Sequence, residues 1–154
     1  MTQTTFKAEQ IIFEAAHVDD TLTLPFELRQ KSRLVATLAS GRQLLLQLPR
    51  GNVLRHGALL LTNEGSVVQI RSAVEVLSLV RSDDAEALAR AAYHLGNRHV
   101  ALQIGNGRLA YLHDHVLDDM LSRLGFSPLV VEEPFEPEQG AYGHAAVHHH
   151  HHEH

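Results

Sequence analysis

The chain lacks cysteine and tryptophan altogether, aromatic residues make up only 5% of it, and no apolar run approaches the length of a membrane span. Without cysteine there are no disulfides, no thiolate zinc sites and no thiol catalysis, so any bound metal must use nitrogen and oxygen ligands. With so few aromatics, a core drawn from the 44% hydrophobic residues must be built mainly from Leu, Val, Ala and Ile. The first ten residues, MTQTTFKAEQ, have no signal-peptide apolar stretch, so a soluble cytoplasmic protein without a membrane partner is expected. Acidic residues outnumber basic ones 18 to 13, for a net charge of -5, which argues against a nucleic-acid partner. That sign depends on 13 histidines remaining neutral.

Catalytic signatures are missing as well. There is no phosphate-binding GxxxxGK[ST] loop, no HExxH and no GxSxG. Gly105 and Gly107 flank Asn106 in an Asn-Gly hairpin turn, and no helix follows to make a dinucleotide fingerprint. Asp83-Asp84 and Asp118-Asp119 fall at or on expected helices, where adjacent side chains diverge by about 100°. They read as dipole partners or a solvated face, and no enzyme activity is expected.

What is present divides at about residue 73 of the 154. Residues 1–73 read as a small all-β domain. Ser32–Leu38, Gln43–Leu48, Leu59–Thr62 and Val67–Ile70 are strand-like, separated by turns at Ser40-Gly41, Pro49–Asn52 and Asn63–Ser66. Residues 74–135 have another rhythm. A strand at Val74–Val80 precedes a helix over about Asp84–Leu95, capped by Ser82 or Asp83 and stopped by Gly96. Strands at Val100–Ile104 and Arg108–Leu112 follow, then a helix capped by Asp114 and ended by Gly125, then a strand at Leu129–Val131. Strand, helix, strand, strand, helix, strand is the ferredoxin-like order, so the expected class is α+β. From Glu132 the apolar pattern gives way to Glu, Pro and Gly, and residues 136–154 read as a flexible His-rich tail. No internal repeat is present.

Histidine is the chemistry-bearing residue. The last eleven residues, HAAVHHHHHEH, hold His144, His148, His149, His150, His151, His152 and His154. This spelling differs from a bare terminal hexahistidine and reads as a native metal-binding tail. Four more, His94, His99, His113 and His115, fall inside the second domain. Each has a plain alternative. His94 suits a helix C-terminus through the dipole alone. Asp114 can be a helix cap with two exposed histidine neighbours. His99 follows a Gly-Asn-Arg loop too polar for a core. His113 and His115 share a face if extended, but diverge by about 200° if helical. His17 and His56 read as surface residues.

Beyond these residue-level readings, the chain resembles the urease accessory nickel metallochaperones of the UreE family. The likeness rests on Tyr93-His94-Leu95-Gly96-Asn97-Arg98-His99, on His113-Asp114-His115-Val116-Leu117-Asp118-Asp119-Met120, on Pro134-Phe135-Glu136-Pro137-Glu138 and on Gly140-Ala141-Tyr142. Lys31-Ser32-Arg33 and Leu48-Pro49-Arg50-Gly51 add to it. The resemblance implies an N-terminal domain that engages protein partners and a ferredoxin-like domain that forms a homodimer. It implies that His99 from two copies binds one Ni(2+) ion, carried as cargo, and that His113 and His115 form secondary sites; the role of His94 is less defined. It implies delivery of nickel to the apo-urease assembly complex and its accessory GTPase, consistent with the missing phosphate loop here. Some members carry a cysteine at the position of Ser82, a contribution this chain cannot make.

The physics suits a carrier. A two-fold interface presents one histidine twice and leaves coordination positions open. Fifteen residues from Gly140 to His154 span roughly 20 Å as a flexible coil, so the tail can reach back to His99. Nitrogen ligands alone do not choose the metal, and Cu(2+) or Zn(2+) is also expected to bind in vitro. A general divalent-metal storage or buffering protein, with the tail as its working part, is the alternative.

Overall fold

The computed structural model describes residues 4–140. They form two compact units, the first ending at Ala73 and the second running Val74–Gln139. Among the described residues no helix is long and apolar enough to cross a membrane.

The first unit contains β1 (Lys7–Ile12), β2 (Asp20–Leu24), α1 (Phe26–Arg29), β3 (Arg33–Thr37), β4 (Gln43–Gln47), β5 (Leu59–Thr62) and β6 (Val67–Ser72). Its sheet runs β2-β6-β5-β1-β4-β3, with β1–β4 and β2–β6 parallel and the remaining pairs antiparallel. Alternation along the strands turns Leu22, Leu24, Leu44, Leu46, Leu60, Val68 and Ile70 into one aliphatic core. The expected Asn63–Ser66 loop joins β5 to β6, and Gly65 supplies the left-handed residue it needs, at φ 83°. The unit is β-rich but not purely β. Pro25 starts the single turn α1, too short to show helical periodicity in sequence. Arg29 in that turn is fully buried, and its Nε and Nη1 donate to the carbonyls of Leu24 and Leu54.

The second unit runs β7 (Val74–Arg81), α2 (Ala85–Asn97), β8 (Gln103–Gly105), β9 (Arg108–Leu112), α3 (His115–Arg123) and β10 (Leu129–Pro134). Its sheet is β10-β7-β9-β8, and every adjacent pair is antiparallel. The register sets Val80 against Leu109 and Ser78 against Tyr111, so these four share one face. That face packs on Ala91 and Leu95 of α2 and Leu121 of α3. Asn106 (φ 47°) and Gly107 (φ 73°) form the expected left-handed pair between β8 and β9.

β10 continues to Pro134, three residues past the apolar segment that announced it. As an edge strand it tolerates the exposed Glu132, and Arg108 pairs with Glu133. The expected flexible tail also begins too early. The Glu136 amide donates to Gln103 Oε1 and the Glu138 amide to the Leu102 carbonyl, each at 2.8 Å. The chain therefore crosses from the β10 edge to the β8 edge. Gln103 pairs with Ala110 while its neighbour Ile104 pairs with the helix-face Leu109, so the crossing lies on the face away from the helices. Phe135, at its start, is fully buried. Residues 136–139 are thus tied into the second unit, and the remainder of the expected tail, 141–154, lies outside the described residues.

Candidate metal centre

His99 is placed by the way α2 ends. Gly96 does not stop the helix, which continues to Asn97, because the residue that turns left-handed is His99 itself, at φ 57°. The His99 amide donates to the Gly96 carbonyl and the Val100 amide to the Leu95 carbonyl. This is the paired bonding of a Schellman cap, with the apolar Val100 folded back on the core beside Leu95. α3 ends the same way. Gly125 is left-handed at φ 95°, its amide donates to the Ser122 carbonyl, and the Phe126 amide donates to the Leu121 carbonyl. The two caps match bond for bond, but one uses Gly and the other His. A side chain in this region costs about 1–2 kcal/mol, although His tolerates it better than most residues. The result is an exposed imidazole at the tip of a rigid helix, anchored by a backbone its own side chain does not favour.

His94 lies in the last turn of α2, half-buried, with its ring edge-on to Tyr93 at 5.4 Å between centroids. His113 and His115 bracket Asp114. Asp114 is extended, at φ -153° and ψ 117°, and its Oδ1 accepts from the amides of Val116 and Leu117. It is the helix cap that the sequence suggests, with its carboxylate committed to the backbone. His115 opens α3, and its side chain is exposed. His113 is different. Its Nδ1 lies 3.0 Å from Ser78 Oγ and 3.2 Å from Asp118 Oδ2.

Asp118 is the site residue that sequence reasoning missed. Read as a dipole partner or part of a solvated face, Asp118 does stand in the first turn of α3, but its side chain is only 19% exposed, and Oδ1 accepts from the Tyr111 hydroxyl at 2.6 Å. Burial, together with the Asp118 carboxylate, pushes the Tyr111 phenol well above its ordinary range, so it stays a hydrogen-bond donor. The signal was faint. Tyr111 and Ser78 are neighbours only through the β7–β9 register, which neither strand reveals alone.

Among the described residues, no three His, Asp or Glu side chains come together as a metal-binding group. No three of His94, His99, His113 and His115 are therefore brought together within one chain. His144, His148, His149, His150, His151, His152 and His154 lie outside the described residues.

Comparison with known proteins gives this arrangement its context. A family model of the UreE urease accessory protein N-terminal domain matches residues 6–73, and one of its C-terminal domain matches residues 75–154. The chain is 59% identical over 130 residues to a urease accessory protein UreE of Alkalilimnicola ehrlichii, covering 84% of this chain and 80% of that one. It is 54% identical to proteins of that name from Pseudomonas putida, covering 85% and 82%, and from Proteus mirabilis, covering 80% and 76%. The two matched segments meet where the two compact units divide, and on these grounds the chain belongs to the UreE family of urease accessory proteins.

Proposed function

We propose that this protein is a cytoplasmic, non-enzymatic nickel metallochaperone that takes part in urease maturation by delivering Ni(II) to the apo-urease assembly complex and its accessory GTPase. It acts as a homodimer through a ferredoxin-like second domain. His99 from each copy supplies a ligand to one shared ion, His113 and His115 form secondary sites, and His94 adds a donor beside them. The tail histidines, His144, His148–His152 and His154, complete the coordination and exchange it.

The observation that carries this reading is the placement of His99, an exposed imidazole held in a position built for glycine, in a chain whose relatives bear the name urease accessory protein. One such residue is a single ligand, and a two-fold axis doubles it. The hydrogen bond from Glu138 to Leu102 supports a role for the tail, because it roots the tail three residues from His99 in sequence. A short span then suffices to bring its histidines back.

Calorimetric titration of nickel into the intact protein, a truncation after Gly143 and His99→Ala tests the proposal. The expected result is about one tight ion per dimer that survives truncation and disappears in His99→Ala. If tight binding vanishes with the tail and His99→Ala changes nothing, the protein is a storage or buffering protein instead. Activation of apo-urease by the nickel-loaded protein then tests delivery. Because imidazole binds metal only when deprotonated, nickel affinity should also fall steadily from about pH 8 to about pH 5. A titration showing the same affinity across that range would contradict histidine ligation.

A further inference from the structure

We infer that Asp118, itself held by Tyr111, is a positioning residue that fixes the His113 ring with Nδ1 protonated and turned inward, leaving Nε2 as the outward metal-binding nitrogen. The inference rests on the reading of His113 as a secondary metal ligand and goes beyond it by assigning the ligating atom and the residues that select it.

The donor count leads to one arrangement. Tyr111 has a single proton, and it goes to Asp118 Oδ1. The Asp118 carboxylate can only accept, so its Oδ2 presents lone pairs to His113 Nδ1 at 3.2 Å. Ser78 Oγ lies 3.0 Å from the same nitrogen and can accept from it as well. An unprotonated Nδ1 would face the carboxylate lone pairs at 3.2 Å, whereas a protonated one donates to Ser78 Oγ at 3.0 Å and is attracted by the carboxylate beside it.

The supports are rigid. Tyr111 is fully buried in β9, Ser78 is fully buried opposite it in β7, and Asp118 stands in the first turn of α3. The neighbouring carboxylate does not compete, since Asp114 is committed to the helix cap. The histidine side chain is 37% exposed. A carboxylate behind a ligating imidazole orients the ring and strengthens its basicity, and losing such a partner typically weakens metal binding by about 10–100-fold. Free imidazole prefers its proton on the other nitrogen, so the arrangement can be detected without metal.

Long-range proton–nitrogen NMR of the full-length, metal-free protein at about pH 8 reads the proton's position. The His113 signal is assigned by its loss in His113→Gln. The expected pattern is Nδ1–H in the native protein and in Asp118→Asn, whose side-chain oxygen still accepts, with reversion toward Nε2–H in Asp118→Ala. Zinc, a diamagnetic probe, is then added to each. The His113 Nε2 resonance should move at about 10–100-fold higher zinc in Asp118→Ala than in the native protein, with Asp118→Asn between them. A mere loss of stability would not move the proton between nitrogens in a folded variant. Finding Nε2–H in the native protein overturns the inference. Finding Nδ1–H with no response of the Nε2 resonance to zinc overturns the metal role of His113 while the clamp itself stands.

Discussion

His99→Gly should abolish the tight metal site and yet give a protein about 1 kcal/mol more stable than His99→Ala. The two substitutions remove the same imidazole, so both should weaken tight nickel binding by more than about 100-fold, beyond the effect expected for a supporting residue. They differ in what they leave at φ 57°. Alanine keeps a Cβ in the left-handed region, whereas glycine occupies it freely, as Gly125 does in the matching cap of α3. Gly125→Ala should therefore be destabilising by a similar amount, and it serves as the internal standard. Thermal unfolding of the three variants reads the difference as a shift of about 4–8 °C for a domain of this size. If His99→Gly retains the tight site, His99 is not its ligand. If it matches His99→Ala in stability, the left-handed cap is not what the native side chain pays for. Loss of the site together with the gain in stability over alanine would show function placed on strain: the native residue here is not the one that best ends the helix.

The same cap shows where sequence reasoning reaches and where it stops. Local chemistry is legible. Asp114 precedes its helix, Asn106-Gly107 closes its hairpin, and Gly125 ends α3, because each acts within a few residues of itself. Gly96 misled for the same local reason. A glycine near the end of an apolar periodicity predicts a stop, but the helix runs on and ends where Leu95 and Val100 meet in the core, which puts His99 in the turning position. The N-terminus of α2 shifted by one residue: Asp84 is the cap, and Ser82 accepts from the Asp84 amide instead. Non-local features were not legible. α1 is a single turn, and the end of β10 needs no apolar residues because it lies at a sheet edge. The clamp on His113 depends on three segments brought together by register. Histidine content pointed to metal from the first, but the side chains that surround His113 Nδ1, Ser78 and Asp118, are ordinary in sequence.

Phe135→Ala should produce the largest loss of stability of any change considered, about 3–5 kcal/mol. The sequence offers little sign of it, since Phe135 sits between Pro134 and Glu136, where the apolar pattern has already given way to Glu and Pro. In the structure it is fully buried, just before the two hydrogen bonds that tie the crossing segment to Gln103 and Leu102. Truncation removes a large apolar side chain and leaves a cavity that its neighbours fill only in part. Such a loss is a large share of the stability of an ordinary domain, so the alanine variant is expected to melt far earlier or not to fold. Phe135→Leu keeps most of the volume and should cost about 1–2 kcal/mol, which keeps the measurement within reach where alanine is not. Phe13 is the control: the same residue type, 95% exposed, whose change to alanine should move stability by no more than about 0.5 kcal/mol. Chemical denaturation of the three variants orders them. Equal, small effects at both positions would mean that Phe135 is not packed as described. The consequence for metal handling is specific. Phe135→Leu should leave the His99 site intact, because the bonds that set the cap run from His99 and Val100 to the carbonyls of α2 itself. It should weaken only the contribution of the tail histidines, whose root that segment fixes beside Leu102.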